Sequence, residues 1–406
     1  MKTTYRLAFA IVLGFISAHR AACQGGFATI YTFNRAELAG LTAGNGVLYG
    51  ASTAGTCGSV IALHPPVAPG GEWTESTIHS FTGVNGDGCG PEESPAVAAN
   101  GALYGVTEGG GDSIWGTVYE LQPPGAAGGG WTEAVLYSFT ELTTPLGLIV
   151  GPDGALYVGT LDGGDHDTGA IFKLQPPVAP GGKWTTTVLY SFPRDGNEGE
   201  PWSLIMAPNG VFYGTIGFGG HAPAYAGAIF EIKPPSDPAG DWAETILCYF
   251  HGGEDGSTPN SLTLASDGTL YGTTFGTTGI DDRHGPYGVG TAFQLTPPAS
   301  PGAHWTRTIL AQLGVGDERG PNSPLILSNG NLYGTTSSGA SNPGGVVYKL
   351  QPPASPGGAW TTTYLHSFDG TIPGFPLFMD RDGTLYGATQ APYSAPPQGT
   401  VYKIEP

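Results

Sequence analysis

One short pattern recurs along this chain at a nearly constant interval, and it constrains the fold more than any other feature. The pattern is a leucine or phenylalanine followed by tyrosine and, in six of the seven copies, directly by glycine. Successive tyrosines are 55, 53, 56, 58, 62 and 53 residues apart. They are Tyr49, Tyr104, Tyr157, Tyr213, Tyr271, Tyr333 and Tyr386. Seven copies at this period predict a repeat protein in which each copy is one structural unit.

Each copy is predicted to form four short strands. An apolar strand such as residues 203–206 leads into a tight turn, the Leu-Tyr-Gly strand, a loop of variable length and a third strand that ends in Pro-Pro. A fourth strand begins with a tryptophan: Trp73, Trp131, Trp184, Trp242, Trp305 and Trp360. The turns carry Asp153-Gly154, Asn209-Gly210, Asp267-Gly268, Asn329-Gly330 and Asp382-Gly383. Such dipeptides accept positive φ angles, so we predict two-residue hairpin turns here.

The two ends of the chain complete each other. There are seven tyrosine signatures but six such tryptophans, and the last copy stops after its third strand, residues 400–406. Residues 26–33 resemble the missing fourth strand, with Phe27 expected in the tryptophan position. We therefore predict an all-β, seven-bladed β-propeller of four-stranded antiparallel blades, closed by the N-terminal strand in the last blade. Closure of this kind protects the sheet edges.

The repeated pattern also resembles a known family. Leu-Tyr-Gly-Thr-Thr, Gly-Thr-Val-Tyr-Lys-Leu and Trp-Thr-x-Thr-x-Leu-Tyr-Ser-Phe together are similar to the GloVer tandem repeat of secreted bacterial proteins. The resemblance covers essentially the whole chain after residue 23. It implies an extracytoplasmic repeat protein and carries no assigned activity.

The first 23 residues are predicted to be a secretory signal, followed by one propeller domain over residues 24–406. Lys2 and Arg6 precede a short apolar run, and Ala21-Ala22 provide a small-residue exit. A lipoprotein site at Cys23 is the alternative, which we disfavour because Arg20 replaces an aliphatic residue. Loss of the signal removes three positive charges and lowers the net charge from −19 to −22. We expect a secreted monomer without a transmembrane segment, and such a charge excludes nucleic acid as a partner.

The cysteines and aromatic residues have mainly structural interpretations. Cys57 and Cys89 fall in loops on the same face of the propeller, so we predict a disulfide between them. Cys248 is expected to be a buried free thiol, and no Cys-x-x-Cys zinc spacing is present. The signature tyrosines and tryptophans occur once per blade, as packing between neighbouring blades requires.

One cluster of loops is the candidate functional site. Function in such scaffolds usually resides in loops held by rigid sheets. The loops of blades 3, 4 and 5, with the connection between blades 4 and 5, carry Asp165, His166, Asp167, His221, His251, Asp281, Asp282 and His284. Histidine beside carboxylate can bind a metal or act as an acid–base pair. The competing interpretation is that these are solvated polar loops. The sequence contains no evident cofactor motif, and a divalent metal is the candidate cofactor for this cluster.

Two functions remain open. The favoured one is a secreted binding module that presents loops on one face to an extracellular ligand: a glycan, a protein or the cell envelope. The rival is an extracellular metal-assisted lyase or hydrolase that uses the cluster on blades 3–5. The sequence contains no Gly-x-Ser-x-Gly, no His-Glu-x-x-His and no phosphate-binding loop, which favours binding over catalysis.

Overall fold

The structure is a computed structural model. It describes residues 26–33, 38–68, 70–91, 93–126, 129–141, 143–179, 181–194, 201–217, 219, 226–237, 239–276, 290–300, 302–313, 320–337, 344–355, 357–374, 376–390 and 399–406. These residues form 31 strands and no helix. No helix that could cross a membrane therefore occurs in this part of the chain. The predicted signal and Cys23 lie outside the described residues.

Apart from one two-stranded sheet, the strands form seven small antiparallel sheets, which are the predicted blades. The N-terminal strand is β1 (Ala28–Thr32), and blade 1 contains β2 (Leu38–Gly44), β3 (Val47–Ser52), β4 (Ser59–His64) and β5 (Thr74–Ser80). After β6 (Gly88–Cys89), blade 2 contains β7 (Ala96–Val97), β8 (Leu103–Thr107), β10 (Thr117–Gln122) and β11 (Thr132–Ser138), and β9 (Gly109–Gly110) pairs with β6. Blade 3 contains β12 (Pro145–Val150), β13 (Leu156–Thr160), β14 (Ala170–Gln175) and β15 (Thr185–Ser191).

The remaining blades repeat this order. Blade 4 contains β16 (Pro201–Met206), β17 (Phe212–Ile216), β18 (Ala228–Lys233) and β19 (Ala243–Tyr249). Blade 5 contains β20 (Pro259–Leu264), β21 (Leu270–Thr274), β22 (Gly290–Thr296) and β23 (Thr306–Leu313). Blade 6 contains β24 (Ile326–Ser328), β25 (Asn331–Thr336), β26 (Val346–Gln351) and β27 (Thr361–Ser367). Blade 7 contains β28 (Ile372–Pro373), β29 (Phe378–Met379), β30 (Leu385–Gln390) and β31 (Thr400–Ile404).

The N-terminal strand closes the ring, as predicted. β1 pairs with β31, with Ala28 opposite Lys403 and Thr32 opposite Thr400. The register nevertheless corrects the prediction for Phe27. In blade 2 the residue opposite Glu120, which corresponds to Lys403, is Ala134. Ala28 therefore corresponds to Ala134, and Phe27 stands two residues after the tryptophan position rather than in it.

The hairpin turns also differ from the prediction. Asn329 and Gly330 both have positive φ, 50° and 76°, as a two-residue turn requires. At the other four predicted sites only the glycine has positive φ. In blade 3, for example, the Ala155 N–H donates to Asp153 Oδ1 at 3.1 Å. The aspartate side chain thus satisfies the backbone of a longer turn, which removes the need for a left-handed residue before the glycine.

The core consists of seven apolar clusters, one at each junction between neighbouring blades. The signature rings meet across these junctions with centroids 6.1–6.5 Å apart. The pairs are Tyr49–Trp131, Tyr104–Trp184, Tyr213–Trp305, Tyr271–Trp360 and Tyr386–Trp73. The tyrosine of one blade therefore packs against the tryptophan of the next, which confirms that these residues belong to the scaffold.

Candidate functional site

Four of the eight residues of the predicted loop cluster are among the described residues. Asp165, His166 and Asp167 are exposed in one loop of blade 3. His251 is exposed and contacts Asp255, with Nδ1 3.3 Å from Oδ2. His221, Asp281, Asp282 and His284 lie outside the described residues. The cluster as a whole therefore stays a prediction.

A cavity at the ring axis is the first site that the geometry provides. The innermost strands of blades 3, 4 and 5 each have a register shift after their first residue. Such a bulge leaves one residue unpaired and can redirect its side chain. The three bulge residues are Leu146, Trp202 and Asn260, and all of them line a cavity of about 380 Å³. One repeated backbone position thus carries an aliphatic, an aromatic and an amide side chain around the same space.

Trp202 is the residue that distinguishes this cavity. It is one of two tryptophans outside the repeated positions, the other being Trp115. Its ring lies against Gly217, where a Cβ atom would approach the ring atoms to 2.4–2.8 Å. Any other residue at 217 would displace the indole, because real Cβ atoms do not come so close. The glycine and the bulge together therefore hold a half-buried aromatic surface at the cavity wall.

The cavity also contains polar groups. Ser261 is 5 % exposed and its hydroxyl has no hydrogen-bond partner among the described residues. The equivalent serine in blade 4, Ser203, is hydrogen-bonded to Thr215 at 3.0 Å. A buried hydroxyl without a partner costs free energy unless water or a ligand binds it. Glu93 extends across to blade 3, where Gly147 has φ +131° and a Cβ atom would lie 2.4 Å from the Glu93 Oε2 atom.

A second feature lies at the outer rim, between the outer strands of neighbouring blades. Each contact joins two residues, both counted from the tryptophan position of their own blade. The residue six positions after that point in one blade contacts the residue two positions after it in the next blade, and we call these contacts rim pairs. Five rim pairs are Tyr31–Glu75, His79–Glu133, Tyr190–Glu244, Cys248–Arg307 and His366–Phe27. The two tyrosine hydroxyls donate to their glutamates at 2.9 and 2.8 Å. The rim position therefore tolerates chemically different pairs on one backbone.

The rim pair between blades 1 and 2 has an additional carboxylate. His79 Nε2 lies 3.5 Å from Asp87 Oδ1 and 3.5 Å from Glu133 Oε2. Burial raises the pKa of Glu133, and neighbouring Asp87 raises it further, although His79 lowers it. Among the described residues, this is the one group of three histidine, cysteine or acidic side chains close enough to share a metal ion. Sequence reasoning missed His79 and Glu133.

The three cysteines of the described residues form one disulfide and one free thiol. Cys57 and Cys89 form a disulfide with Cα atoms 4.4 Å apart. Cys248 is free and half-buried rather than fully buried, and the Arg307 guanidinium donates to its thiol, with Nη1 3.1 Å from Sγ. Burial raises the pKa of the Cys248 thiol, which Arg307 lowers in part. This residue is therefore a rim contact and not an activated nucleophile.

The fold and its sites define the class of protein: a seven-bladed β-propeller with an axial cavity and variable rim pairs. The model of the Gloeobacter/Verrucomicrobia repeat matches residues 37–281, and the chain belongs to this family. The family match confirms the resemblance inferred from the repeated pattern. No curated protein matches this chain in sequence.

Several solved structures share the fold at low identity. The extracellular domain assigned to a hybrid two-component system of B. thetaiotaomicron is 12 % identical, with a TM-score of 0.52, over 94 % of this chain. This chain spans only 41 % of the length of that domain. The polysaccharide lyase Uly1 is 12 % identical, with a TM-score of 0.52, over 90 % of this chain and 89 % of the lyase. At such identities the likeness concerns the fold alone.

Proposed function

We propose that this protein is an extracytoplasmic binding module and that its axial cavity binds a neutral saccharide. The observation that carries the proposal is Trp202, an aromatic side chain placed at the cavity wall by a bulge and by Gly217. Ligand sites combine apolar and aromatic walls with a few polar groups that fix orientation. Sugars match this combination, since a ring offers an apolar C–H face to the indole and hydroxyls to Asn260 and Ser261.

A neutral sugar is favoured over an acidic one. Among the described residues that line the cavity there is no lysine, arginine or histidine, whereas Glu93 is present. A uronate carboxylate would meet this glutamate without a cation to bind it. The chain also has a net charge of −19, which repels polyanions at long range.

Binding is favoured over catalysis by the same lining. Glycoside hydrolysis ordinarily requires two carboxylates on opposite sides of the scissile bond. Glu93 is the single ionisable side chain among the described residues of the cavity wall. The metal-assisted lyase or hydrolase on blades 3–5 stays a prediction, and no observation on the described residues favours it.

The extracytoplasmic part of the proposal rests on two supports. The N-terminal segment has the pattern of a secretory signal. In addition, two of the similar structures are extracellular domains from B. thetaiotaomicron. Fractionation of the native host, with antibody against this chain, tests the extracytoplasmic location.

Titration calorimetry with neutral hexasaccharides of glucose, xylose and mannose tests the ligand class, with oligogalacturonate as the acidic probe. We expect at least one neutral sugar to bind and the acidic sugar not to. Trp202→Leu should weaken that binding by about tenfold or more, because it removes the aromatic surface. The variant should fold, since Leu146 occupies the same bulge in blade 3.

Trp115→Phe is the matched control, because Trp115 is the other tryptophan outside the repeat and is not part of the cavity wall. Equal loss of affinity in both variants would contradict the assignment of the cavity. Binding of oligogalacturonate alone would reject a neutral ligand.

A further inference from the structure

We propose that His79, Asp87 and Glu133 form a binding site for a divalent transition-metal cation, Zn²⁺ in the first instance, at the rim between blades 1 and 2. His79 lies in β5 of blade 1, Asp87 in the connection between the blades, and Glu133 in β11 of blade 2. An ion bound to all three would link two blades and their connection. This site is independent of the axial cavity and of any ligand there.

The distances suit a metal. The His79 nitrogen is 3.5 Å from an oxygen of each carboxylate, and one ligand atom from each residue lies within 4.8 Å of the others. Two ligands about 2.0–2.1 Å from a tetrahedral Zn²⁺ are about 3.4 Å apart. Direct hydrogen bonds, in contrast, are usually 2.7–3.2 Å long. The histidine contacts are therefore longer than good hydrogen bonds and close to the edge of a metal polyhedron.

Asp87 is held in place by groups outside the site. Its Oδ2 atom accepts hydrogen bonds from the Thr82 backbone N–H and from the Thr82 hydroxyl, both at 2.6 Å. These bonds leave Oδ1 directed at His79. Metal-binding carboxylates are commonly oriented by hydrogen bonds of this kind.

Glu133 provides a separate observation in support of the site. Its Oε1 atom is fully buried and has no hydrogen-bond partner among the described residues. The charged partner of Asp87 and Glu133 among the described residues is His79 alone. Two carboxylates and one histidine carry excess negative charge even when the histidine is protonated. A divalent cation bound to the three side chains would compensate this charge.

Comparison with the other rim pairs shows how the pair between blades 1 and 2 differs. At two other junctions a tyrosine hydroxyl donates to the glutamate at 2.8–2.9 Å, so the carboxylate has a direct partner. At the junction of blades 1 and 2, histidine replaces tyrosine and Asp87 adds a second carboxylate. One nitrogen and two oxygens are ligands that suit Zn²⁺ better than Ca²⁺ or Mg²⁺. A cleft lined by Asn85, Gly86 and Glu133 gives solvent access for the ion.

The test uses the secreted protein without a histidine tag, stripped with EDTA and dialysed. Zn²⁺, Mn²⁺ and Ca²⁺ are titrated by calorimetry, and bound metal is measured by mass spectrometry. We expect one Zn²⁺ per chain, weaker Mn²⁺ and no Ca²⁺ at micromolar concentration. Zn²⁺ should raise the melting temperature by about 2 °C or more, since binding to the folded state alone stabilises it.

His79→Tyr is the decisive variant, because Tyr31–Glu75 and Tyr190–Glu244 show that the rim accommodates tyrosine opposite glutamate. It should lose at least tenfold in Zn²⁺ affinity and keep its fold. His366→Tyr is the matched control at the same repeat position, where the histidine stacks on Phe27 at 3.6 Å. Its Zn²⁺ binding should be unchanged.

Glu133→Gln is a second variant, which preserves the side-chain shape, and its Zn²⁺ affinity should also fall tenfold or more. The proposal is overturned if the wild type binds no stoichiometric metal at 100 µM. It is also overturned if His79→Tyr and Glu133→Gln retain the ion, which would then lie elsewhere on the chain. Equal loss in His366→Tyr would mean that binding depends on general stability rather than on this site.

Discussion

The junction between blades 1 and 2 and the junction between blades 3 and 4 have the same centre and different rims. In both, an aromatic ring from the outer strand meets a ring of the next blade: Phe81 and Tyr119 at 5.0 Å, and Phe192 and Phe230 at 5.3 Å. At the rim of the second junction the Tyr190 hydroxyl donates a hydrogen bond to Glu244. At the first junction the rim has three titratable side chains, and the connection between the blades adds a disulfide and the small β6–β9 sheet.

This difference shows that the repeat requires the apolar core at each junction and permits different residues at the rim. Burial of large apolar side chains supplies most of the stability at each junction, and it is repeated around the ring. The rim lies outside that core, so its residues can change without loss of the fold. A chain of this type can therefore acquire a cross-link or an ion site at one junction while the other junctions keep simple contacts.

Among the variants that test this comparison, removal of the disulfide should have the largest effect on stability. Cys57→Ser with Cys89→Ser frees a loop of 32 residues and should lower the free energy of unfolding by about 3–4 kcal/mol in the chain-entropy account. Urea unfolding of the oxidised protein and of the double variant measures it. Cys248→Ser, at another rim pair, is the control and should cost less than about 1 kcal/mol. Equal stability of the double variant and the wild type would show that the cross-link does not stabilise this junction.

Gly110→Ala should have the next largest effect, because it disrupts the β6–β9 sheet that only this junction has among the described strands. Gly110 has φ +79°, and a Cβ atom there would lie 2.3 Å from the Asp87 carbonyl oxygen. The left-handed backbone and the clash together should cost about 2–3 kcal/mol. Gly46→Ala has φ +78° but open space around it, so it should cost about 1 kcal/mol. Thermal melts of the two variants should differ accordingly, and identical melts would argue against the clash.

Tyr190→Phe tests the simpler rim. The variant removes the hydroxyl that donates to Glu244, so we expect a loss of about 1 kcal/mol. Tyr364→Phe is the control, because Tyr364 is 60 % exposed and should change little. A larger loss at Tyr190 than in the disulfide variant would reverse the ranking of the two junctions.

The smallest effect should be a pH dependence at Glu133. Its pKa is raised above the ordinary 4.5, chiefly by burial. The folded state therefore holds this proton more tightly than the unfolded state. The resulting stabilisation is complete below pH 4.5 and is lost as the pH rises through the higher folded pKa.

In metal-free protein, the melting temperature of Glu133→Gln relative to the wild type should therefore increase as the pH rises from 4 to 7. Melts in EDTA across this range measure the difference. A constant difference would show that Glu133 titrates normally. With Zn²⁺ present, the same substitution should instead lower the melting temperature at pH 7, because it removes a ligand of the proposed ion.

Much of the fold was predictable because the repeat expresses it seven times. The blade number, the strand order, the ring closure and the scaffold role of the signature rings follow from spacing and composition. Two local predictions were wrong. Phe27 was placed by resemblance, but the β1–β31 register moves it two residues, to a stack on His366. The Asp-Gly turns were expected to be two-residue turns, but side chains such as Asp153 stabilise longer ones.

The candidate sites were less predictable. Trp202 had a signal in the sequence, since it is a tryptophan outside the repeated positions, but nothing there shows that it faces the axis. His79 and Glu133 are 54 residues apart and belong to positions whose residue type differs between copies. The predicted loop cluster was assembled from loop membership alone, and four of its eight residues lie outside the described residues.

The sequence by itself determined the architecture of this protein, because a period of apolar and turn residues is local information that every blade repeats. Only the tertiary structure decided where chemistry is concentrated. A bulge turns Trp202 towards the axial cavity, and the packing of one blade on the next brings His79 to Glu133. Both outcomes depend on backbone register and on the angle between sheets, which no single repeat specifies. These are contacts between units rather than within them.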